Sequence, residues 1–131
     1  RSVRQANARA IDSAIEGIPV VRATLPPENL SHAYYRHSSF VRPENLREGW
    51  DRDRIVAELI AAGVPARQGV CPEIYREKAF RDSDFGVPER LPVARELGET
   101  SISLPVHPTI SYERSTWALD AVRRVLELAT R

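Results

Sequence analysis

Apolar residues recur at intervals of three and four positions in two early stretches of the chain, and each stretch predicts an amphipathic helix. The first covers residues 3–15 and ends before Gly17 and Pro19, which are typical helix breakers. The second follows Asp51, a residue type that caps helix N-termini, and stops at Gly63, which accepts the left-handed conformation common at helix ends. Both helices therefore have one apolar face available for packing.

Proline and glycine interrupt the second half of the chain and predict shorter helices there. Residues 72–80 form one candidate, and residues 92–98 form another because Pro92 suits the first position of a helix. The stretch 81–89, which contains aspartates, a glycine and a proline, is predicted to be a loop. A long final helix is predicted after Ser111, its cap, with apolar residues spaced so that they face a sheet.

Four runs of β-branched, aromatic or apolar residues predict strands, at residues 20–24, 33–41, 64–70 and 101–104. Pro65 places the third run at a sheet edge or near a strand start. Helices and strands are mixed without a regular alternation. The predicted fold class is therefore α+β, with a small, largely antiparallel sheet packed against helices on one face.

The length of 131 residues fits a single domain, residues 1–131, with one hydrophobic core. Hydrophobic residues make up 42% and charged residues 28%, which excludes a disordered or fibrous chain. No apolar run approaches the roughly 20 residues that span a membrane. The sequence contains no methionine and opens without a signal segment, so we expect it to be an excised part of a longer protein.

The charge balance limits the kinds of partner that this chain can bind, and the cysteine content indicates its cellular compartment. The 19 basic and 18 acidic residues are interleaved and leave a net charge of +1, which argues against nucleic-acid binding. The single cysteine, Cys71, excludes an intrachain disulfide and favours a reducing compartment. We therefore expect a cytoplasmic protein.

The histidines and the cysteine do not form the pattern of a metal or nucleophile site. His32 and His37 are five positions apart on a predicted strand, which sends their side chains to opposite faces, so we expect no metal. They and His107 are expected to be solvated or hydrogen-bonded. No sequence feature supplies the electropositive setting that an active thiol needs, so Cys71 is expected to be a small buried apolar group.

The cluster Tyr34-Tyr35-Arg36, together with Arg67, has the chemistry of a binding site. Guanidinium groups and tyrosine hydroxyls bind carboxylates, phosphates and sugar hydroxyls. The alternative is a strand with an ordinary amphipathic face, and the spacing alone favours that alternative.

Several short motifs follow one another in a characteristic order along nearly the whole chain. After the entry helix 4–15 come Ser-His-Ala-Tyr-Tyr at 31–35, Arg-Asp-Arg at 52–54, Ala-Ala-Gly-Val-Pro at 61–65, the stretch 67–72, Leu-Pro-Val-Ala at 91–94 and Ser-Ile-Ser-Leu-Pro-Val-His-Pro at 101–108. In this order the motifs resemble the C-terminal small domain of the DegT/DnrJ/EryC1/StrS aminotransferases. These are sugar aminotransferases of pyridoxal phosphate (PLP) fold type I.

One stretch departs from the pattern of that family. Many members carry a His-Tyr pair shortly before the proline matched by Pro72, and a histidine two residues after it. This chain has Gly69, Val70 and Ile74 at those positions. The contacts made by the family's side chains there are therefore not carried over to this chain.

The resemblance implies a PLP-dependent transaminase that moves an amino group from an amino acid, commonly glutamate, to a nucleotide-linked keto-sugar. In this family the lysine that forms the Schiff base lies in the large N-terminal domain, so PLP would be bound outside this chain. Lys78, the only lysine here, lies in a charged stretch typical of a helix surface and does not substitute for it. We assign no catalytic or cofactor-binding residue in this chain and expect it to be inactive alone.

For the complete enzyme the resemblance implies nucleotide-sugar and amino-acid substrates, a homodimer, and no nucleic-acid or membrane partner. This chain would close one wall of the active site. Arg67, Tyr35 and Arg36 are its substrate-binding candidates, because of their chemistry and their place in the matched stretches.

Two alternatives remain open from the sequence. Some members of the family replace the lysine with histidine and act as sugar dehydratases that use pyridoxamine phosphate, and nothing in these residues separates the two activities. The other alternative is a non-catalytic α+β module for binding or assembly. A preceding domain with a Schiff-base lysine would favour the enzyme over the module.

Overall fold

The computed structural model describes residues 1–69, 71–81, 83, 89–110 and 112–131 of the chain. In these ranges five α-helices and four strands follow one another: α1 Ser2–Ile15, β1 Val21–Ala23, β2 His37–Val41, α2 Arg52–Ala61, β3 Arg67–Gln68, α3 Lys78–Arg81, α4 Pro92–Thr100, β4 Ser101–Leu104 and α5 Tyr112–Ala129. Two 3₁₀ turns, Pro43–Asn45 and Ile74–Arg76, lie between them.

The four strands form one antiparallel sheet in the order β1-β2-β4-β3. The last strand of the chain is therefore inserted between β2 and β3. Ser39 lies opposite both Ala23 and Ile102, and these side chains share a face because alternate residues of a strand point the same way. The predicted α+β class with an antiparallel sheet is confirmed.

The hydrophobic core lies between one face of the sheet and the helices α1, α2 and α5, and α5 contacts both of the other two. The helices bury only part of the stripe that their sequence period predicted, since Val3 of α1 and Ile60 of α2 are exposed. The largest fully buried apolar side chains are Ile55, Leu59, Val20 and Val106. Burial of these groups is the main driving force for holding the helices on the sheet.

Helix ends follow the predicted capping chemistry. The Asp51 side chain accepts a hydrogen bond from the Arg54 backbone N–H at 2.7 Å and caps α2. Gly63 follows that helix with a φ of +79°, in the left-handed region. Pro92 begins α4, as predicted, but the helix continues two residues beyond Gly98 to Thr100 and passes directly into β4.

Two predicted strands are shorter in the structure. The run 33–41 is a strand only from His37 onward, because Tyr34 adopts a φ of +50° and the chain bends before the sheet begins. In the described part of the run 64–70, the strand is limited to β3, Arg67–Gln68, and the Gly69 backbone N–H then donates to the Ser101 carbonyl at 3.2 Å. In both cases the composition of the run favoured extended structure, but only part of it reaches a partner strand.

The predicted helix 72–80 is also replaced by two smaller elements. Residues 74–76 form a 3₁₀ turn and α3 spans only Lys78–Arg81. The predicted cap Ser111 and most of the predicted loop 81–89 lie outside the described residues. In the described part of the chain, no helix is both long and apolar enough to cross a membrane.

Candidate functional site

The three predicted substrate-binding residues lie toward one end of the sheet. Tyr35 and Arg36 immediately precede β2, and Arg67 is the first residue of β3. Both strands run antiparallel to β4, which lies between them, so their first residues are opposite the C-terminal end of β4. The chain thus places three candidates, two of them cationic, near the same sheet end.

Tyr35 and Arg36 contact each other directly. The Tyr35 ring is 77% exposed and has the Arg36 guanidinium 5.5 Å from its centroid. Arg4, from α1, places a second guanidinium 6.0 Å from the same centroid. The Tyr35 hydroxyl has no hydrogen-bond partner within the described ranges. An aromatic ring beside two cations, with a free hydroxyl, can contact an anionic or hydroxylated ligand.

Arg67 does not join this pair by direct contact. Its Cα is paired with that of Ser103, which in turn faces Ser38 on β2, so these three residues form a row across the sheet face that points away from the core. Two strand spacings separate Arg67 from β2, roughly 10 Å. A ligand that contacted all three candidates would therefore have to span that distance.

A left-handed turn at Tyr34 creates the exposure of Tyr35. Tyr34 is 9% exposed, and its backbone N–H donates to Nδ1 of His32 at 3.2 Å. Burial, followed by repulsion from Asp12, raises the pKa of the Tyr34 phenol, so the ring stays neutral. The turn places Tyr34 in the core and Tyr35 in solvent. The sequence predicted a continuous strand over 33–41 and therefore did not predict this turn.

A buried group centred on His37 was not identified as a unit from the sequence. His37 is 1% exposed, with Nε2 2.7 Å from Oδ1 of Asp12 and Nδ1 3.3 Å from Oγ of Ser39. A carboxylate only accepts, so Nε2 donates to Asp12. The alternation of β2 contained a signal for this burial, because His37 shares its strand face with Val41. His37 is hydrogen-bonded, as expected, whereas the strand placement predicted for His32 is wrong.

A second polar cluster fastens the segment after β3 to the start of α4. Glu73, 13% exposed, accepts from Nε and Nη2 of Arg90 at 2.7 and 2.6 Å and from the Tyr75 hydroxyl at 2.8 Å. The Tyr75 oxygen accepts the Leu91 backbone N–H at 2.9 Å. The Arg90 hydrogen bonds lower the pKa of Glu73 to about 2. No sequence pattern indicated this cluster, since Arg90 is 17 positions away from Glu73 in the chain.

Cys71 is exposed, so the expectation of a buried apolar group is wrong. Its thiol donates to Oε1 of Glu77 at 3.1 Å, and this hydrogen bond raises the pKa of Cys71. A thiol with a raised pKa carries less thiolate at neutral pH. Exposure alone therefore does not make Cys71 a nucleophile.

The described residues do not fit a PLP site. A Schiff-base lysine needs a desolvated position facing the cofactor ring, but Lys78 is exposed at the first residue of α3. The described part of the chain also contains no group of three histidine, cysteine or acidic residues placed to hold a metal ion.

A cleft of about 620 Å³ lies elsewhere, between α1, α5 and the segment after β4. Asn7 crosses one side and donates to the carbonyls of Val106 and His107 at 3.4 and 3.2 Å. Its described lining includes no acidic side chain, lysine or arginine.

Comparison with known proteins identifies the fold and the family. An aminotransferase from Psychrobacter cryohalolentis superposes with a TM-score of 0.88 and 35% identity, over 98% of this chain and 34% of that one. The sugar aminotransferase CalS13 from Micromonospora echinospora superposes with a TM-score of 0.75 and 15% identity, over 94% of this chain and 30% of that one. At this identity the similarity shows the fold alone. Helicobacter pylori PseC, an aminotransferase involved in pseudoaminic acid biosynthesis, has a TM-score of 0.79 and 18% identity, over 97% of this chain and 33% of that one. This similarity likewise shows the fold alone.

No curated protein matches the chain. The chain spans about a third of the length of the solved aminotransferases that it matches. The model of the DegT/DnrJ/EryC1/StrS aminotransferase family matches residues 1–123, nearly the full length. Together with the 35% identity to the Psychrobacter enzyme, this match shows that the chain belongs to the DegT/DnrJ/EryC1/StrS aminotransferase family.

Proposed function

We propose that this chain is the C-terminal domain of a PLP-dependent aminotransferase that transfers an amino group from glutamate to a nucleotide-linked keto-sugar. The observation that carries the proposal is the family match over residues 1–123, supported by a solved aminotransferase with 35% identity. PLP and its Schiff-base lysine belong to the remainder of the enzyme, since Lys78 is exposed on a short helix. The complete enzyme is a homodimer in this proposal.

The role of this chain in the proposed enzyme is to bind substrate at one wall of the active site. Arg36 and Arg67 supply fixed positive charge near one end of the sheet, and Tyr35 supplies an exposed ring and a free hydroxyl. A nucleotide-linked sugar offers phosphates and hydroxyls at several separate points. Such a ligand suits binding groups that are spread over roughly 10 Å.

The absorption spectrum of the full-length enzyme tests this proposal. With bound PLP as an internal aldimine we expect a visible band that bleaches when glutamate is added, and borohydride should trap PLP on a lysine outside this chain. The control is the same titration with an amino acid of opposite charge, such as lysine, which should bleach the band less. A colourless protein that gains no band with added PLP would contradict the proposal, and trapping on Lys78 would contradict the role given to this chain.

Substitution of Arg67 tests the substrate-binding role. Arg67 is exposed on an edge strand, so Arg67→Ala should leave the melting temperature nearly unchanged. We expect the half-saturating concentration of one substrate to rise about tenfold, the loss typical of a charge-assisted hydrogen bond. Arg124→Ala, another exposed arginine on a helix far along the sequence, is the matched control. A loss of stability with unchanged kinetics would make Arg67 structural.

A further inference from the structure

Helix α1 and Arg1, the residue that caps its N-terminus, contact the segment 31–37. The Arg1 guanidinium donates to the Ser31 hydroxyl, and Nε2 of Gln5 donates to the carbonyl of His32 at 3.0 Å. Two turns further along, Asp12 accepts from the buried ring of His37 at 2.7 Å. Positions four residues apart on a helix lie on one face, so this face of α1 is directed at the segment that precedes β2.

Arg4 makes the central contact of this face. Its Nη1 donates to the carbonyl oxygens of Tyr34 at 3.4 Å and Tyr35 at 3.3 Å. These two carbonyls belong to the two consecutive peptides that follow the left-handed turn, where Tyr34 has a φ of +50°. A non-glycine residue in this region is strained and keeps its conformation only when surrounding contacts determine it.

The contacts of Arg4 therefore act on the geometry that exposes the candidate site. The same guanidinium also lies 6.0 Å from the centroid of the Tyr35 ring. One cation thus holds two consecutive carbonyls and faces the exposed ring that follows them. Arg36, adjacent in sequence, contacts that ring from its own side at 5.5 Å.

We propose that Arg4 is a positioning residue that holds the turn at Tyr34 and thereby sets where Tyr35 and Arg36 meet the substrate. The kinetic consequence rests on the proposed function, whereas the structural consequence does not. Arg4 does not itself contact the reacting groups. Through α1, the placement of Tyr35 and Arg36 depends on a helix some thirty residues earlier in the chain, since Arg4 and Tyr34 are separated by 30 positions.

Hydrogen exchange of the full-length holoenzyme tests the structural half. Arg4→Ala should speed exchange of the backbone amides of residues 33–37 by about tenfold, because charge-assisted hydrogen bonds to the turn are lost. Exchange in α2 and α5 should not change. Arg4→Lys keeps a cationic donor and should restore part of the protection, while Arg124→Ala should have no effect. Unchanged exchange at 33–37, or a uniform increase over the whole chain, would overturn the proposal.

Kinetics of the same variants test the kinetic consequence of the proposal. The probes are L-glutamate, followed by bleaching of the PLP band, and UDP and dTDP as competitive inhibitors. Tyr35→Ala or Arg36→Ala should raise the half-saturating concentration of glutamate or the inhibition constant of a nucleotide. Arg4→Ala should raise the same quantity by about tenfold, with the rate at saturation unchanged. The double variant Arg4→Ala/Tyr35→Ala should then show little further increase in that quantity, because both substitutions disturb the same contact.

The two halves separate failure of the inference from failure of the proposed function. Local exchange effects with intact kinetics in Arg4→Ala, but weakened binding in Tyr35→Ala, would overturn Arg4 as a positioning residue. If Tyr35→Ala and Arg36→Ala change no constant, the substrate role of those residues is wrong and the positioning role fails with it. If the holoenzyme shows no PLP band, the proposed function fails, while the exchange data still decide whether Arg4 holds the turn.

Discussion

Two regions of this domain are held together by different interactions. The body, made of α1, α2, α5, the sheet and the segments that join them, contains every buried apolar residue of the described chain. These residues lie between Ala8 and Ala66 and between Ile102 and Ala129. In the intervening stretch the described residues include no buried apolar side chain. That stretch is instead fixed by Glu73 with Arg90 and Tyr75, and by the close approach of Gly98 to Pro72.

The difference predicts how each region responds to change. Apolar burial is non-directional and depends on area, so the body should tolerate changes of charge but not loss of volume. Hydrogen-bonded ion pairs and close contacts depend on direction and on protonation state. The stability of the stretch between the two halves of the body should therefore depend on pH, and a single added methyl group at a close contact should lower it.

The largest expected effect is a loss of volume in the body. Leu59→Ala, at a buried position of α2, should lower the free energy of unfolding by about 2–5 kcal/mol. Ile74→Ala, at a side chain that is 59% exposed in the intervening stretch, should change it by no more than about 0.5 kcal/mol. Urea denaturation of both variants measures the contrast. Equal losses would mean that Ile74 belongs to the same core.

An intermediate effect is expected where α4 meets the stretch before it. A Cβ at Gly98 would lie 2.7 Å from Cγ of Pro72, so Gly98→Ala should cost about 1–3 kcal/mol through overpacking. Without that contact, alanine in a helix would be about 1 kcal/mol better than glycine. The comparison is therefore made again in a Pro72→Ala background. There the substitution should become neutral or stabilising, and persistent destabilisation in both backgrounds would contradict the contact.

The smallest expected effect is the pH dependence of the Glu73 cluster. The pKa of Glu73 is lowered from 4.5 to about 2, so the folded state binds its proton less readily than the unfolded state. Its contribution to stability is then fully present above pH 4.5 and is lost as the pH falls toward 2. We expect the melting temperature of the natural sequence to exceed that of Glu73→Gln at neutral pH, and the difference to shrink across this window.

The control for this pH series is Glu48→Gln, which removes the same charge from an exposed side chain outside the cluster. Its melting temperature should follow the natural sequence without a comparable change of the difference between pH 4.5 and 2. A difference for Glu73→Gln that stays constant over the whole series would show that the Arg90 contact does not form in solution.

The sequence predicted most helices and the class of the fold, because these depend on patterns within a few neighbouring residues. The cap at Asp51, the stop at Gly63 and the start at Pro92 are local chemistry, and all three are confirmed. The strand 33–41 was partly wrong because β composition does not show where a chain leaves its neighbour. For the site, the sequence supplied Tyr35, Arg36 and Arg67 as candidates, and their role stays a prediction.

The sequence by itself determined the periodic elements and, through its ordered motifs, the family. Only the tertiary structure decided which side chains meet. Arg4 with Tyr34, Asp12 with His37 and Glu73 with Arg90 are separated by 30, 25 and 17 positions. Helix and strand periods relate residues only a few positions apart, so they contain no information on such pairs. Packing of α1 and α4 beside the sheet brings these partners together.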